Sequence, residues 1–283
     1  MKGQDVEMPV FSFGLIADVQ YANVEPAGTR FYRESLEKLK ACVEDLNTHD
    51  LDFVIQVGDL IDRDFASFDD LLPIYKKLNA PRYHVLGNHD YAVSENRLTD
   101  VPKRLGLKRR HYDFAIGSWR FVALDANEIS LYTHPKTSDA YRESEAIYDE
   151  LVARDAPNAK PWNGGMRPEQ LNWLRKKLDA ASKAGERVIV FNHFPVFPLG
   201  DRHNLWNDAE LMEVLDRFDC IAAYIAGHNH DGGYAIANGI HHLTVMGMVE
   251  TEDTTAYAVV DVHSDHLEVT GFGREPSRVL GLK

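Results

Sequence analysis

Two apolar rhythms alternate along most of this chain. Short, largely apolar runs at Phe11 to Ala17, Phe53 to Val57, Tyr83 to Leu86, Val188 to Phe191 and Ile221 to Ala226 have the length and composition of buried strands. Between them apolar residues recur every three or four positions. Leu36, Leu39, Val43 and Leu46 mark one face of a helix over 31–47, and Leu71, Leu72, Tyr75 and Leu78 mark a second helix. Further helices are predicted from Pro168 to Ala184 and through Leu211, Val214 and Leu215. A hairpin is expected to join His111–Ile116 to Trp119–Leu124. After residue 232 the helical period disappears, and Gly233–Ile236, Ile240–Met246, Ala256–Val262 and Leu267–Thr270 read as strands. Strands alternating with helices, then strands alone, predict a layered α/β sandwich with helices outside. No repeat or linker-like tract divides the chain, so one domain over 1–283 is expected. The exception to its regularity is an insertion over about 126–166, which carries Tyr132, His134, Pro135, Pro157, Pro161 and Asn163-Gly164-Gly165. Two readings stand for it: a lid or binding loop, or a surface insertion with its own helix over 139–154.

The polar residues matter most where the strands stop. The first run ends in Asp18-Val19-Gln20, the second in Gly58-Asp59-Leu60-Ile61-Asp62 and the third in Gly87-Asn88-His89-Asp90. The Val188 run ends in Asn192-His193, and the Ile221 run in Gly227-His228-Asn229-His230. Any one of these would read as a turn residue or a satisfied core histidine. Five together, at the sheet edge where α/β proteins bind ligands, read as a metal site, because gathered buried carboxylates and imidazoles call for cations. Asp18, Gln20, Asp59, Asn88, His193, His228 and His230 supply seven donors, too many for one tetrahedral ion and enough for two. Oxygen and imidazole donors without thiolate suit Mn²⁺, Fe²⁺, Co²⁺ or Zn²⁺. Two such ions sharing a carboxylate serve in-line displacement at phosphorus and acidify water.

Charge narrows the substrate. Among 283 residues the formal net charge is -13 and the pI about 5.4, which disfavours nucleic acid and anionic membranes as partners. A local basic patch at Lys108-Arg109-Arg110 keeps a nuclease in view. Cys42 and Cys220 are too few for a disulfide framework and are expected to be buried free thiols. Asp5 and Glu7 interrupt the start of the chain, so a signal peptide is not expected. No apolar run approaches the roughly 18 residues of a membrane helix. A cytoplasmic location follows as the expectation, and nothing fixes the oligomeric state.

In this order the motifs Asp-x-Gln, Gly-Asp-x-x-Asp, Gly-Asn-His-Asp, Asn-His and Gly-His-x-His resemble those of the calcineurin-like metallophosphoesterases. The resemblance runs from Asp18 to His230 and implies a four-layer α/β/β/α sandwich with mixed sheets. Gln20 stands where most of that superfamily has His. Such a Gln looks like the manganese-dependent ADP-ribose/CDP-alcohol diphosphatases, as do Asn163-Gly164-Gly165, Glu169 to Leu174, His230-Asp231-Gly232-Gly233-Tyr234, Gly239 to His242 and Glu250-Thr251. By position, the resemblance implies that Asp18, Gln20, Asp59 and His230 hold one metal, and Asp59, Asn88, His193 and His228 the other. Asp59 would bridge, and His89 would be catalytic, facing the scissile phosphate. Gln20, a neutral oxygen donor, would favour Mn²⁺. The implied substrate is a small nucleoside diphosphate derivative, cleaved at its phosphoanhydride. A cyclic-nucleotide phosphodiesterase or phosphomonoesterase is the alternative using the same centre; a scaffold without catalysis would lack some ligands, and none is missing here.

Around this set several roles stay open. Asp62 either orients a ligand or caps the next helix, and Asp90 is expected to hold His89 in one tautomer. One of His241 and His242 is expected to face solvent. Arg30 and Arg33 are expected on a solvated face, with a phosphate contact as the other reading. Tyr21, Phe65, Tyr91, Trp162 and Trp206 are the aromatic candidates for base recognition.

Overall fold

The structure, a computed structural model, describes residues 8–283. The segment on which the signal-peptide expectation rests lies outside the described residues. In chain order the elements are β1 (Phe11–Ile16), α1 (Ser35–Leu46), β2 (Phe53–Val57), α2 (Ser67–Tyr75), β3 (Arg82–Val85), α3 (Val101–Arg104), β4 (Tyr112–Ile116), β5 (Trp119–Ala123) and α4 (Asp139–Ala153). They continue as α5 (Pro168–Ala184), β6 (Arg187–Phe191), α6 (Asp208–Leu215), β7 (Ile221–Ala226), β8 (Gly233–Ala237), β9 (Ile240–Thr244), β10 (Ala256–Val262), β11 (His266–Gly273) and β12 (Arg278–Gly281).

These strands form two six-stranded sheets, ordered β12-β11-β10-β1-β2-β3 and β4-β5-β6-β7-β9-β8. Both are mixed. In the first, β1, β2 and β3 are parallel, while β10 and β11 are antiparallel to their neighbours. In the second, β5, β6, β7 and β9 run parallel, flanked by the antiparallel edges β4 and β8. The sheets pack face to face through aromatic side chains. Phe53 stacks on Phe13 with centroids 4.8 Å apart and meets Phe121 edge-on at 4.9 Å and Phe114 at 5.2 Å. Outside the first sheet, α1 and α2 bury Leu39, Val43, Leu46, Leu71 and Tyr75 against Ile16 and Val54. Outside the second, α5 and α6 bury Leu171, Leu174, Leu178, Leu211 and Leu215 against Val122, Val188 and Val190. Four layers result, α/β/β/α, because β1, β2 and β5–β7 are apolar on both faces and need a cover on each.

Local chemistry sets several element ends. Pro168 opens α5 and Gly185, left-handed at φ 69°, closes it. Ser138 caps α4 by accepting from the Tyr141 N–H. Some boundaries differ from the sequence pattern. Residues 32–34 form a turn before α1, and α2 stops at Tyr75, so Leu78 is buried beyond it; the chain must extend before Pro81. Strand β12 and the 3-10 segments His89–Tyr91 and Glu95–Asp100 were not legible, being too short to display a period. Cys42 is buried, whereas Cys220 is only half-buried, at the loop leading into β7. Neither His241 nor His242 faces solvent. Gly281 O and the Tyr234 hydroxyl cover the ring nitrogens of His241 at 2.7 and 2.9 Å, and the Phe197 and Tyr224 rings pack on His242. No helix among the described residues is long and apolar enough to cross a membrane.

The segment 126–166 has both a helix, α4, and a link to the sheets. Ile129 and Gly165 exchange backbone hydrogen bonds of 3.0 and 2.8 Å, which draws Asn163 and Gly164 toward the end of β5.

Phe53 joins four aromatic neighbours at the interface of the sheets. Phe53→Ala is expected to lower the unfolding free energy by about 3–5 kcal/mol, measured by urea denaturation; a loss within 1 kcal/mol would show that the inter-sheet core does not depend on it.

Candidate metal centre

Parallel strands point their carboxyl ends the same way, so the residues after β1, β2, β3, β6 and β7 emerge together. The ends of the two sheets are stitched there by backbone: Asp18 N donates to Gly58 O, Gly227 N to His193 O, and Met248 N to Ala17 O. All seven sequence-identified donors meet in one connected cluster. Asp59 Oδ2 lies 3.3 Å from His193 Nε2 and accepts from Gln20 Nε2 at 3.0 Å. His193 Nε2 in turn lies 3.1 Å from Asn88 Oδ1 and 3.2 Å from His228 Nδ1. On the other side, His230 Nε2 lies 3.0 Å from Gln20 Nε2 and 3.5 Å from Asp18 Oδ1. Asp18, Gln20, Asp59 and His193 are fully buried, and Asn88, His228 and His230 nearly so.

The backbone is bent to achieve this. Asp18, Gln20, Asp59 and His228 all sit at positive φ, 51°, 44°, 59° and 68°, a conformation that L side chains adopt at a cost of about 1–3 kcal/mol each. Gly58 (φ 104°) and Gly87 have a steric reason to be glycine: a Cβ on Gly58 would collide with the His193 ring, and one on Gly87 with the Asp59 carboxylate. The Gly-Asp and Gly-Asn pairs of the sequence are therefore single units, a donor and the space for its neighbour.

Whether this set suits cations can be judged from its own polar atoms. Gln20 Oε1 is buried without a protein partner. Asp59, His193 and His228 each offer a ligand atom within 4.8 Å of the others. Burial works to raise the Asp59 carboxyl, yet His193, His89 and His228 hold it below the usual carboxylate range. The carboxylates draw positive charge inward: against burial, Asp59 pushes His193 up to about 9, and Asp18 with Glu250 pushes His230 up to about 9. Oxygen and imidazole donors around two buried carboxylates fit divalent cations.

Around the donors is a supporting layer. His193 Nδ1 bonds Val57 O at 2.9 Å, His228 Nε2 bonds Asn163 Oδ1 at 2.8 Å, and His230 Nδ1 bonds Glu250 Oε1 at 2.7 Å. Each bond fixes which nitrogen faces the centre. Glu250 and Asn163 stood out in the sequence without an assignable chemistry; the fold gives both one. Asp90 differs from expectation. Its carboxylate does not touch the His89 ring but accepts from the backbone N–H of Asp59, Leu60, Ile61 and Gly87, at 2.9–3.3 Å. The carboxylate on His89 is that of Asp62, 3.0 Å from Nδ1. Asp62 does not cap α2, which begins without a side-chain cap.

Beside the cluster opens a cleft of about 600 Å³ lined by Gln20, Arg30, His89, Trp162, Arg202, His203, His228, His230 and Glu250 among others. Arg30, expected on a solvated face, lines this cleft with a guanidinium nitrogen 3.5 Å from His89 Nε2 and 3.9 Å between Nε and Glu250. Arg33 is outside it, paired with Glu25. Of the aromatic candidates only Trp162 reaches the cleft. Tyr21, Tyr91 and Trp206 are buried in packing, and Phe65 packs against the α2 side. Arg110 of the basic run turns inward to Asp125, so that run is not one continuous basic surface.

A centre of buried Asp, Asn, Gln and His donors on an α/β/β/α sandwich defines a dinuclear phosphoesterase, and residues 11–232 match the calcineurin-like phosphoesterase family model. The chain belongs to this family and is an enzyme. It is 32% identical to the manganese-dependent ADP-ribose/CDP-alcohol diphosphatase of Arabidopsis thaliana, over 97% of this chain and 98% of the relative. With the Homo sapiens protein of the same name it shares 30% identity, over 97% of this chain and 93% of that one. A solved dimetal phosphatase from Danio rerio superposes with a TM-score of 0.87 at 28% identity, covering 97% of this chain and all of that one.

Asp90 anchors the turns after β2 and β3 through their backbone N–H groups. Asp90→Ala leaves four buried N–H groups without their acceptor and is expected to cost about 3 kcal/mol or more of stability, with reduced metal content. Unfolding titrations and elemental analysis check this; unchanged values for both would remove Asp90 from its anchoring role.

Proposed function

We propose that the enzyme hydrolyses the phosphoanhydride of nucleoside diphosphate derivatives such as ADP-ribose and CDP-alcohols, giving a nucleoside monophosphate and a phospho-compound. The observation that carries this reading is Gln20 among the donors, together with near full-length similarity to diphosphatases named for these substrates. Asp18, Gln20, Asp59 and His230 would hold one divalent cation and Asp59, Asn88, His193 and His228 the other, with Mn²⁺ favoured and Fe, Co or Zn as alternatives. Bound there, the cations supply Lewis acidity toward phosphate oxygens and acidify water near neutral pH.

The chain's own groups do the rest. Asp62 holds His89 Nδ1, which leaves Nε2 facing the cleft to carry a proton for the departing oxygen. Arg30, beside that nitrogen, is placed to pair with a substrate phosphate. Trp162, 37% exposed and with the Arg202 guanidinium 5.7 Å from its ring centre, offers a face on which a base can stack. In this reading the chain is one domain whose 126–166 segment is a binding loop, since that segment carries both Trp162 and Asn163. A small-molecule substrate and a cytoplasmic location accord with the net charge of -13 and two free cysteines.

The test uses Mn²⁺-loaded protein with ADP-ribose, CDP-choline, 3′,5′-cyclic AMP and a generic phosphomonoester, products being followed by chromatography. AMP or CMP released from the diphosphates is expected. Turnover of only the cyclic nucleotide or the monoester would keep the centre and overturn the substrate class. His89→Ala is expected to lower kcat at least ~10²-fold without loss of metal, and Asp59→Asn to lose both turnover and metal; full activity in either would sink the assignment. Gln20→His is expected to raise turnover with Zn²⁺ relative to Mn²⁺, because imidazole is the softer donor; an unchanged ratio would refute the role given to Gln20.

A further inference from the structure

Strands β10 and β11 pair antiparallel with Val262 opposite Leu267 and Asp261 opposite Glu268. The turn beyond is closed by His263 N donating to His266 O at 2.9 Å. Val260, Val262, Leu267 and Val269 face the inter-sheet core. By alternation, Asp261, His263, His266 and Glu268 occupy the other face of the hairpin. We propose that His263, His266 and Glu268 form a separate binding site for a single transition-metal ion of the Zn²⁺, Ni²⁺ and Cu²⁺ class.

One nitrogen of each ring and a Glu268 carboxylate oxygen lie within 4.8 Å of one another. The two rings stack with centroids 4.3 Å apart and planes 6° apart, and His263 Nε2 is 4.0 Å from Glu268 Oε2. His263 is buried, and its Nδ1 has no hydrogen-bond partner. His266 Nδ1 meets Asp265 Oδ1 at 2.6 Å. That bond leaves Nε2 with the lone pair and puts a carboxylate behind the imidazole, the arrangement that orients metal-binding histidines. The adjacent cation, Arg187, directs its donors to the Ser264 and Lys283 carbonyls. His263 is buried, whereas His266 is partly exposed and Glu268 exposed, and their side chains would have to close in for an ion at about 2.0–2.2 Å. Two imidazoles and one carboxylate leave a coordination position for water or an outside ligand.

The site is remote from the dinuclear centre. Val262 pairs with Phe11 at the start of β1, whereas Asp18 follows its end, a separation of about 20 Å along the strand.

The experiment counts tightly bound Zn²⁺ by equilibrium dialysis on the full chain, for wild type, His266→Ala, Glu268→Gln and Asp59→Asn, with circular dichroism to verify folding. His266→Ala is expected to bind one Zn²⁺ fewer than wild type while its Mn²⁺-supported turnover is unchanged. Glu268→Gln is expected to weaken that same ion at least tenfold. Asp59→Asn is expected to retain it, which separates this site from the dinuclear one. Equal Zn²⁺ counts in wild type, His266→Ala and Glu268→Gln would overturn the proposal, as would loss of this ion in Asp59→Asn.

Discussion

Two fully buried carboxylates, Asp18 and Asp59, stand at the ends of adjacent central strands, and most of the structure's unusual features answer to them. Burying even one uncompensated carboxylate costs more than a protein of this size can spare. The fold surrounds the pair with His193, His228 and His230 and with backbone donors: His228 N reaches Asp18 at 3.0 Å and His89 N reaches Asp59 at 2.7 Å. These neighbours alone do not close the account, since Gln20 Oε1 stays without a partner. A divalent cation among these side chains would supply the missing partner and offset the buried charge. Low dielectric strengthens every charge interaction within the site.

That requirement also explains where the backbone is bent. Asp18, Gln20, Asp59 and His228 hold left-handed conformations that would not persist in an isolated loop. They persist because backbone bonds between the strand ends fix them: Gln20 N to Asp59 O at 2.8 Å and Val249 N to Asp18 O at 2.9 Å. Asp90 adds a third restraint by gathering the N–H groups of the β2 and β3 turns. Backbone bonds between strand ends, rather than loops, therefore hold these side chains and carry the strain.

The parts of this arrangement visible in the sequence are those encoded within a few residues. A buried strand followed by Asp, Asn or His can be read from five or six positions, so the clustered polar side chains, the sheet strands and a layered sandwich with helices outside were legible, while the four layers came from the family resemblance. Partners distant in sequence were not. Asp62 rather than Asp90 on His89 depends on how the turn after β2 folds against β3: Asp90 is the next residue in sequence, yet its carboxylate is taken by backbone N–H groups, and the distant Asp62 reaches the ring. Glu250 is 20 residues beyond His230 and joins it only because the loop after β9 crosses back to β1. Arg30 resembled a solvated helix residue because nothing nearby in sequence reveals that its turn faces the cleft. Trp206 and Tyr91 looked available for a base for the same reason; packing, which is set by distant residues, buried them.

The irregular segment shows how far such distant coupling reaches. Asn163 Oδ1 accepts from His228 Nε2 at 2.8 Å, while its amide nitrogen donates to Asn158 O and Arg202 O. The same side chain thus joins a metal donor, the segment carrying α4 and the loop that places Arg202 over Trp162. A movement of the cleft wall in response to a bound ligand would be felt at His228 through one hydrogen-bonded amide. The segment is tied to His228 by the geometry of a single asparagine.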